Sequence, residues 1–150
     1  MKVVLQRVRE AAVEVGGVTK GRIGRGVCLL VGIEKGDTQD DASYVANKIV
    51  DLRIFPDEKG KMNCSLADIQ GEVLAVSQFT LAGSLKKGRR PSFDSAEEPQ
   101  GAEVLFNDLV QKIGDRGVEV KKGIFGAVME VRLVNEGPVT FILQGRNSST

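Results

Sequence analysis

The segment Val27-Cys28-Leu29-Leu30-Val31-Gly32-Ile33 carries no polar side chain, and Gly24-Arg25-Gly26 precedes it. A strand with one wet face alternates apolar and polar residues, so an unbroken apolar run has to be covered on both faces. It predicts a central strand, and the rest of the chain must supply both a sheet around it and layers to cover it. Upstream, Val3 to Val8 and Ala11 to Val15 read as two β-branched strands separated by charged residues. Gly16-Gly17 turns the chain into a third strand, Val18 to Ile23. The closely spaced glycines of 21–26 do not open a helix and read as turn chemistry rather than a phosphate loop.

Two helices are predicted. Thr38 caps one that runs to about Leu52, because Ala42, Val45, Ala46, Ile49 and Leu52 recur along one helical face. The other follows Pro99, with Ala102, Leu105, Phe106, Leu109 and Ile113 at helical spacing and Gly114 or Gly117 to end it. Between them, Phe55 to Lys61 reads as an exposed turn and Glu72 to Phe79 as a strand. Val118 to Lys121, Ala127 to Asn135 and Val139 to Leu143 complete about eight strands, followed by a polar tail, Gly145 to Thr150. No linker or repeat divides the pattern. The expected class is α+β, with mixed or antiparallel β-sheet layers and two main helices packed on them, in a single domain over residues 1–150.

The sequence contains no histidine. Imidazole-based triads, His-ligated metals and a side chain titrating near pH 7 are therefore excluded, and neither a metal nor a cofactor is called for. Chemistry must run on backbone groups, hydroxyls, carboxylates, bases or the substrate itself. With 21 Lys plus Arg against 20 Asp plus Glu, the net charge of +1 gives no global attraction to a polyanion, so any such affinity must be local. Two unpatterned cysteines suit a reducing compartment, and Cys28 belongs to the core run. Charge interrupts the N-terminal apolar residues too early for a signal peptide, and no run approaches the roughly 20 residues of a membrane span. The expectation is a cytoplasmic protein in which Asn63-Cys64-Ser65 and Asn147-Ser148-Ser149 are unused sequons.

Two segments break apolar strands with polar residues. Ser77-Gln78-Phe79-Thr80-Leu81 ends a strand, where hydroxyls and released N–H groups can face a ligand; alone, it is usually a satisfied turn. Asn135-Glu136-Gly137-Pro138-Val139-Thr140 lies between two strand runs and is usually a turn as well. A glycine before proline, however, allows a cis bond at low cost and carbonyls presented without interference from a side chain.

Together, in this order and spacing, these two motifs resemble those of the D-aminoacyl-tRNA deacylases. The start Val3-Val4-Leu5-Gln6-Arg7-Val8, the loop Lys86-Lys87-Gly88-Arg89-Arg90-Pro91-Ser92-Phe93, and Phe125-Gly126-Ala127 extend the resemblance from Met1 to about Leu143. It implies hydrolysis of the ester between a D-amino acid and the terminal adenosine of tRNA, with the catalytic motif at Ser77, Gln78, Phe79 and Thr80. It also implies an oxyanion hole of backbone N–H groups around Phe79 and Thr80. Water attack would be assisted by the ribose 2′-hydroxyl, since a threonine hydroxyl without an adjacent base is a poor nucleophile.

Gly137 and Pro138 would form a cis wedge reaching into the partner's site of a homodimer, fixed by Arg7, that excludes L side chains and leaves glycine partly attacked. Phe125, Gly126 and Met129 would receive the adenine, although Phe125 reads equally well as core. The four cations Lys86, Lys87, Arg89 and Arg90 would meet tRNA phosphates. Val128, where the family often has an acid, and Ala82-Gly83-Ser84, in place of an aromatic continuation, depart from the pattern at the expected pocket rim. The competing readings are a non-catalytic RNA-end or nucleotide-binding module, and a deacylase for mischarged L- or achiral amino acids.

Overall fold

The computed structural model describes residues 1–145; the expected tail from 146 onward lies outside the described residues. Gly145 itself is held, its N–H donating to the Met1 carbonyl at 2.9 Å. The strands are β1 (Lys2–Val15), β2 (Val18–Ile23), β3 (Gly26–Gly32), β4 (Phe55–Pro56), β5 (Met62–Cys64), β6 (Glu72–Ser77), β7 (Glu119–Lys122) and β8 (Glu130–Gln144). The helices are α1 (Gln39–Asp51), α2 (Leu66–Ile69) and α3 (Pro99–Asp115), with a 3-10 turn at Phe79–Ala82.

The main sheet runs β2-β1-β3-β6-β7, with β8 paired to β1. Neighbours are antiparallel except for β3–β6 and β6–β7, which are parallel. This is the expected mixed α+β architecture. The apolar run is its centre: Val27, Cys28, Leu29 and Val31 of β3 are buried, because the helices cover one face of the curved sheet and the sheet's own interior covers the other. On the first face Leu5, Leu29, Val73 and Ala75 pack with Ala42, Val45, Ala46 and Ile49 of α1 and Phe106, Leu109 and Ile113 of α3. On the second, Val8, Val13, Ile23, Cys28, Leu74 and Val76 form a smaller cluster. Asp41 closes the N-terminus of α1 by accepting from the Thr38 N–H at 2.9 Å, while Pro99 opens α3.

Three local readings are corrected. Residues 2–15 are one strand, not two. β8 lies along one edge of β1, and the other edge is shared by β3 over Lys2–Val8 and β2 over Ala11–Val15. The exposed Arg9-Glu10 pair marks a register slip, not a break. Residues 130–144 are likewise one strand running through Gly137-Pro138. Phe55, placed in an exposed turn, is fully buried and starts the small β4–β5 hairpin, with the Arg25 guanidinium 5.5 Å from its ring centroid.

Candidate active site

Strand β6 ends at Ser77, and the chain turns at once into the 3-10 turn. The turn's first ladder bond runs from Leu81 N to Gln78 O at 3.2 Å. The N–H groups of Phe79 and Thr80 precede that bond and stand outside the ladder, as first-turn donors do. Gln78 N is occupied, donating to Val31 O at 2.7 Å, which anchors the turn to the end of β3. The approach is close because residue 32 is glycine: a Cβ there would lie 2.8 Å from Leu81 Cβ and 2.9 Å from Gln78 O. The Gln78 side-chain amide donates to the Thr80 hydroxyl. An amide takes up no proton, so this partner orients the hydroxyl without activating it.

A pocket of about 570 Å³ opens beside this turn. Ser77, Gln78 and Phe79 form one wall, Phe125, Gly126 and Met129 another, and the N-terminal end of α3 contributes Glu97, Glu98 and Pro99. Two segments predicted separately, far apart in the chain, thus share one cavity. Phe125 packs partly buried against the core, its ring centroid 6.3 Å from that of Phe106, and the residue also lines the pocket. Met129 packs over Gly123, and Val128, at the unusual position, is 92% exposed and is not on the lining. Thr80 sits beside the pocket rather than on its lining.

Sequence reasoning missed the Phe93–Glu98 side of the site. Phe93 meets Phe79 edge-on at 5.2 Å, and both rings are substantially exposed. The backbone holds this segment against the end of β3 through Lys35 N to Ser95 O at 2.9 Å and Glu97 N to Ile33 O at 3.1 Å. Glu97 accepts from Glu98 N at 2.7 Å, a favourable place for a carboxylate at a helix N-terminus. Only the Pro99 helix start could have pointed there. The basic loop leaves the same rim. Paired bonds between Ser84 and Ser92, at 2.7 and 2.9 Å, close it, and Lys86, Lys87, Arg89 and Arg90 are all exposed on it. The replaced residues Ala82-Gly83-Ser84 lead into it, and Gly83 lies against the Phe93 ring.

Arg7, Gly137 and Pro138 form a second group, not on the lining of that pocket. Between the pairs Gln6–Thr140 and Val8–Asn135, Arg7 alone stands opposite Glu136, Gly137, Pro138 and Val139, so β8 bulges outward there. The Gly137–Pro138 bond is cis, and both residues are exposed. Gly137 has φ +131°, and a Cβ on it would meet Val139 Cγ2 at 2.7 Å. Arg7 is buried and donates from Nη1 to Ile54 O at 2.7 Å and from Nε to Glu136 O at 3.2 Å.

Burial pushes the Cys28 thiol up to about 12, which removes it from nucleophilic chemistry. Among the described residues, no group of three or more His, Cys, Asp or Glu could hold a metal ion, and no helix is long and apolar enough to cross a membrane.

The aromatic residues Phe79, Phe93, Phe106 and Phe125 and the polar residues Ser77, Gln78, Glu97 and Glu98 line this pocket, and the chain carries no imidazole. Comparison with known proteins supplies the rest. A family model described as D-Tyr-tRNA(Tyr) deacylase matches residues 4–144. The D-aminoacyl-tRNA deacylase of Geobacter sulfurreducens is 55% identical, covering 100% of both chains, and that of Aquifex aeolicus is 51% identical over 97% of this chain and 99% of its own. A solved structure described as a c-Myc DNA unwinding element binding protein has a TM-score of 0.91 at 43% identity, covering 97% of this chain and 99% of that one. Another, described as a probable eukaryotic D-amino acid tRNA deacylase, shares the fold with a TM-score of 0.78 at 21% identity, over 95% of this chain and 97% of that one. The chain belongs to the D-Tyr-tRNA(Tyr) deacylase family and is a hydrolase acting on ester bonds.

Proposed function

We propose that this enzyme hydrolyses the ester of D-aminoacyl-tRNA, releasing a D-amino acid and tRNA in the cytoplasm, and that it does so as a homodimer with chirality enforced across the subunit interface. The observation that carries this reading is the shared pocket of the Ser77–Phe79 turn and the Phe125–Met129 segment. The adenine lies against Phe125, Gly126 and Met129. That places the ester carbonyl beside the turn, where the N–H groups of Phe79 and Thr80 stabilise the charge developing on its oxygen. Water attacks with the neighbouring 2′-hydroxyl as its guide, the tetrahedral intermediate collapses, and the ribose 3′-oxygen leaves with a proton. An ester needs no stronger base than this geometry provides.

Gly137 and Pro138 act as the chiral filter. In one chain they stand apart from the pocket, which supports their delivery from a second copy. The long edge strand β8, with Phe141 and Ile142 exposed on it, is a suitable surface for that copy. Carbonyls presented there engage the α-amino group, an L side chain collides with the wedge, and a D side chain points away from it. Glycine, with no side chain to exclude, is partly attacked.

The test is ester loss from matched D-, L- and glycyl-tRNA. The D-ester should be hydrolysed, the glycyl ester partly and the L-ester not; an enzyme active equally on L- and D-esters would overturn the reading. Thr80→Ala should retain turnover, whereas substrate ending in 2′-deoxyadenosine should lose it. A monomer in sedimentation that remains fully active would overturn delivery of the wedge across the interface. A non-catalytic RNA-end or nucleotide-binding role would leave all three esters intact.

A further inference from the structure

The bulge of β8 has a second brace besides Arg7. Asn135 is the last residue paired to β1 before the bulge, opposite Val8, and its side-chain amide makes two hydrogen bonds. Nδ2 donates to the main-chain carbonyl of Arg7 at 3.1 Å and to that of Val139 at 3.0 Å. The first bond ties the near foot of the bulge to β1; the second ties the near foot to the far foot, four residues on. Both hydrogens of one amide nitrogen are thereby used. Arg7 works from the other side, bonding the Glu136 carbonyl within the bulge and the Ile54 carbonyl beyond it.

From this geometry we infer that Asn135 is a positioning residue for stereochemical selection: it sets the height and direction of the Gly137-Pro138 segment and thereby the preference for D- over L-substrates. The inference rests on the chiral-filter reading above. Asn135 touches no substrate in it. Its contribution is to fix the span between the feet of the bulge, so that the carbonyls at the apex cannot drift. A filter that works by collision depends on where its atoms stand, and a misplacement of about 1 Å is enough to change a rate on the order of a hundredfold. Aspartate has nearly the same shape as asparagine but would set acceptor oxygens against the two carbonyls, reversing the interaction without changing volume. Serine is shorter and cannot span both carbonyls.

The experiment measures kcat/KM on D- and L-aminoacyl-tRNA carrying the same side chain, for Asn135→Asp and Asn135→Ser, with thermal unfolding as a check on folding. The D:L ratio should fall by on the order of tenfold to a hundredfold, chiefly through a rise on the L-ester, in protein that still melts cooperatively. A loss of folded protein alone would lower both esters together and leave their ratio unchanged. If Asn135→Asp does not fold, Asn135→Ser carries the test. Gly137→Ala and Pro138→Ala run alongside. Should these lower the ratio while folded Asn135 variants keep it, the role of Asn135 is overturned and the filter stands. Should none of the four change it, the filter reading itself has failed.

Discussion

Arg7 and Glu136 are joined by a hydrogen bond from Nε to the main-chain carbonyl at 3.2 Å, placing a buried guanidinium directly behind the Gly137-Pro138 segment. The same side chain reaches Ile54 O with Nη1 at 2.7 Å. Two carbonyls on different elements are therefore held by one rigid planar group, a task for which the flexible ammonium of lysine is poorly shaped.

Arg7→Lys keeps the charge and loses the fork. It should lower the preference for D- over L-aminoacyl-tRNA by about tenfold and lower stability by about 1–3 kcal/mol, because a buried carbonyl is left without its donor. Paired ester assays and urea unfolding measure the two effects. Unchanged selectivity in folded Arg7→Lys would remove the arginine from wedge positioning.

On the proposed reading, the basic loop serves affinity rather than chemistry. Replacing Lys86, Lys87, Arg89 and Arg90 by alanine should weaken tRNA binding and reduce the slope of log affinity against log salt by up to about 3.6, at roughly 0.7–0.9 for each phosphate no longer neutralised. Hydrolysis of a D-aminoacyl-adenosine, which has no acceptor stem, should be spared. Equal loss on both substrates would show instead that the loop shapes the pocket.

Much of this arrangement was legible in the residues, and the failures have physical causes. The apolar run of β3 and the periodic faces of α1 and α3 report burial directly. The continuity of β1 and β8 did not show, because charge at Arg9-Glu10 and a proline at 138 normally end strands. Both strands instead absorb the interruption as a slip in pairing, which is a property of two strands together and of neither alone. Phe55 looked exposed because the polar turn Asp57-Glu58-Lys59-Gly60-Lys61 follows it closely, while its partners, including Arg25, lie far off in the chain. Ser65-Leu66-Ala67-Asp68 did carry a local sign of the missed one-turn helix α2, since Asp68 accepts from Ser65 N at 2.9 Å and Ser65 Oγ from Asp68 N at 3.3 Å. The motifs gave the two halves of the site; that Phe93, Glu97 and Glu98 close the pocket depends on backbone pairing with Ile33 and Lys35, which no local pattern encodes.

Gly32 sets the distance between β3 and the 3-10 turn proposed to supply the oxyanion donors, so Gly32→Ala should affect activity as well as stability. The added Cβ would meet Leu81 Cβ at 2.8 Å and Gln78 O at 2.9 Å, and the second is backbone, which yields only if the turn moves. Stability should fall by about 1–3 kcal/mol, and kcat on the D-ester by on the order of tenfold to a hundredfold. The mechanism needs the kcat loss to persist at low temperature, where the variant is fully folded. Full activity there would mean that the turn tolerates displacement.

Cys28 gives a pH dependence whose sign is fixed by burial. Its thiol is pushed from 9.0 up to about 12 in the folded chain, so above pH 9 the unfolded chain releases a proton that the folded chain keeps. The stability associated with this group is present below pH 9 and is lost progressively as pH rises toward 12, by up to about 1.4 kcal/mol per pH unit. Other groups titrate in the same window, so the informative quantity is the difference from Cys28→Ala. That variant should lose about 1 kcal/mol at pH 8 through poorer packing, then decline less steeply than the parent above pH 9. Urea unfolding at pH 8 and pH 10.5 measures the difference, and parallel declines would mean that the thiol ionises without opening the core. Alkylation gives an independent check: in folded protein at pH 8, Cys64, which is partly exposed, should be modified well before the buried Cys28, and both should react in urea.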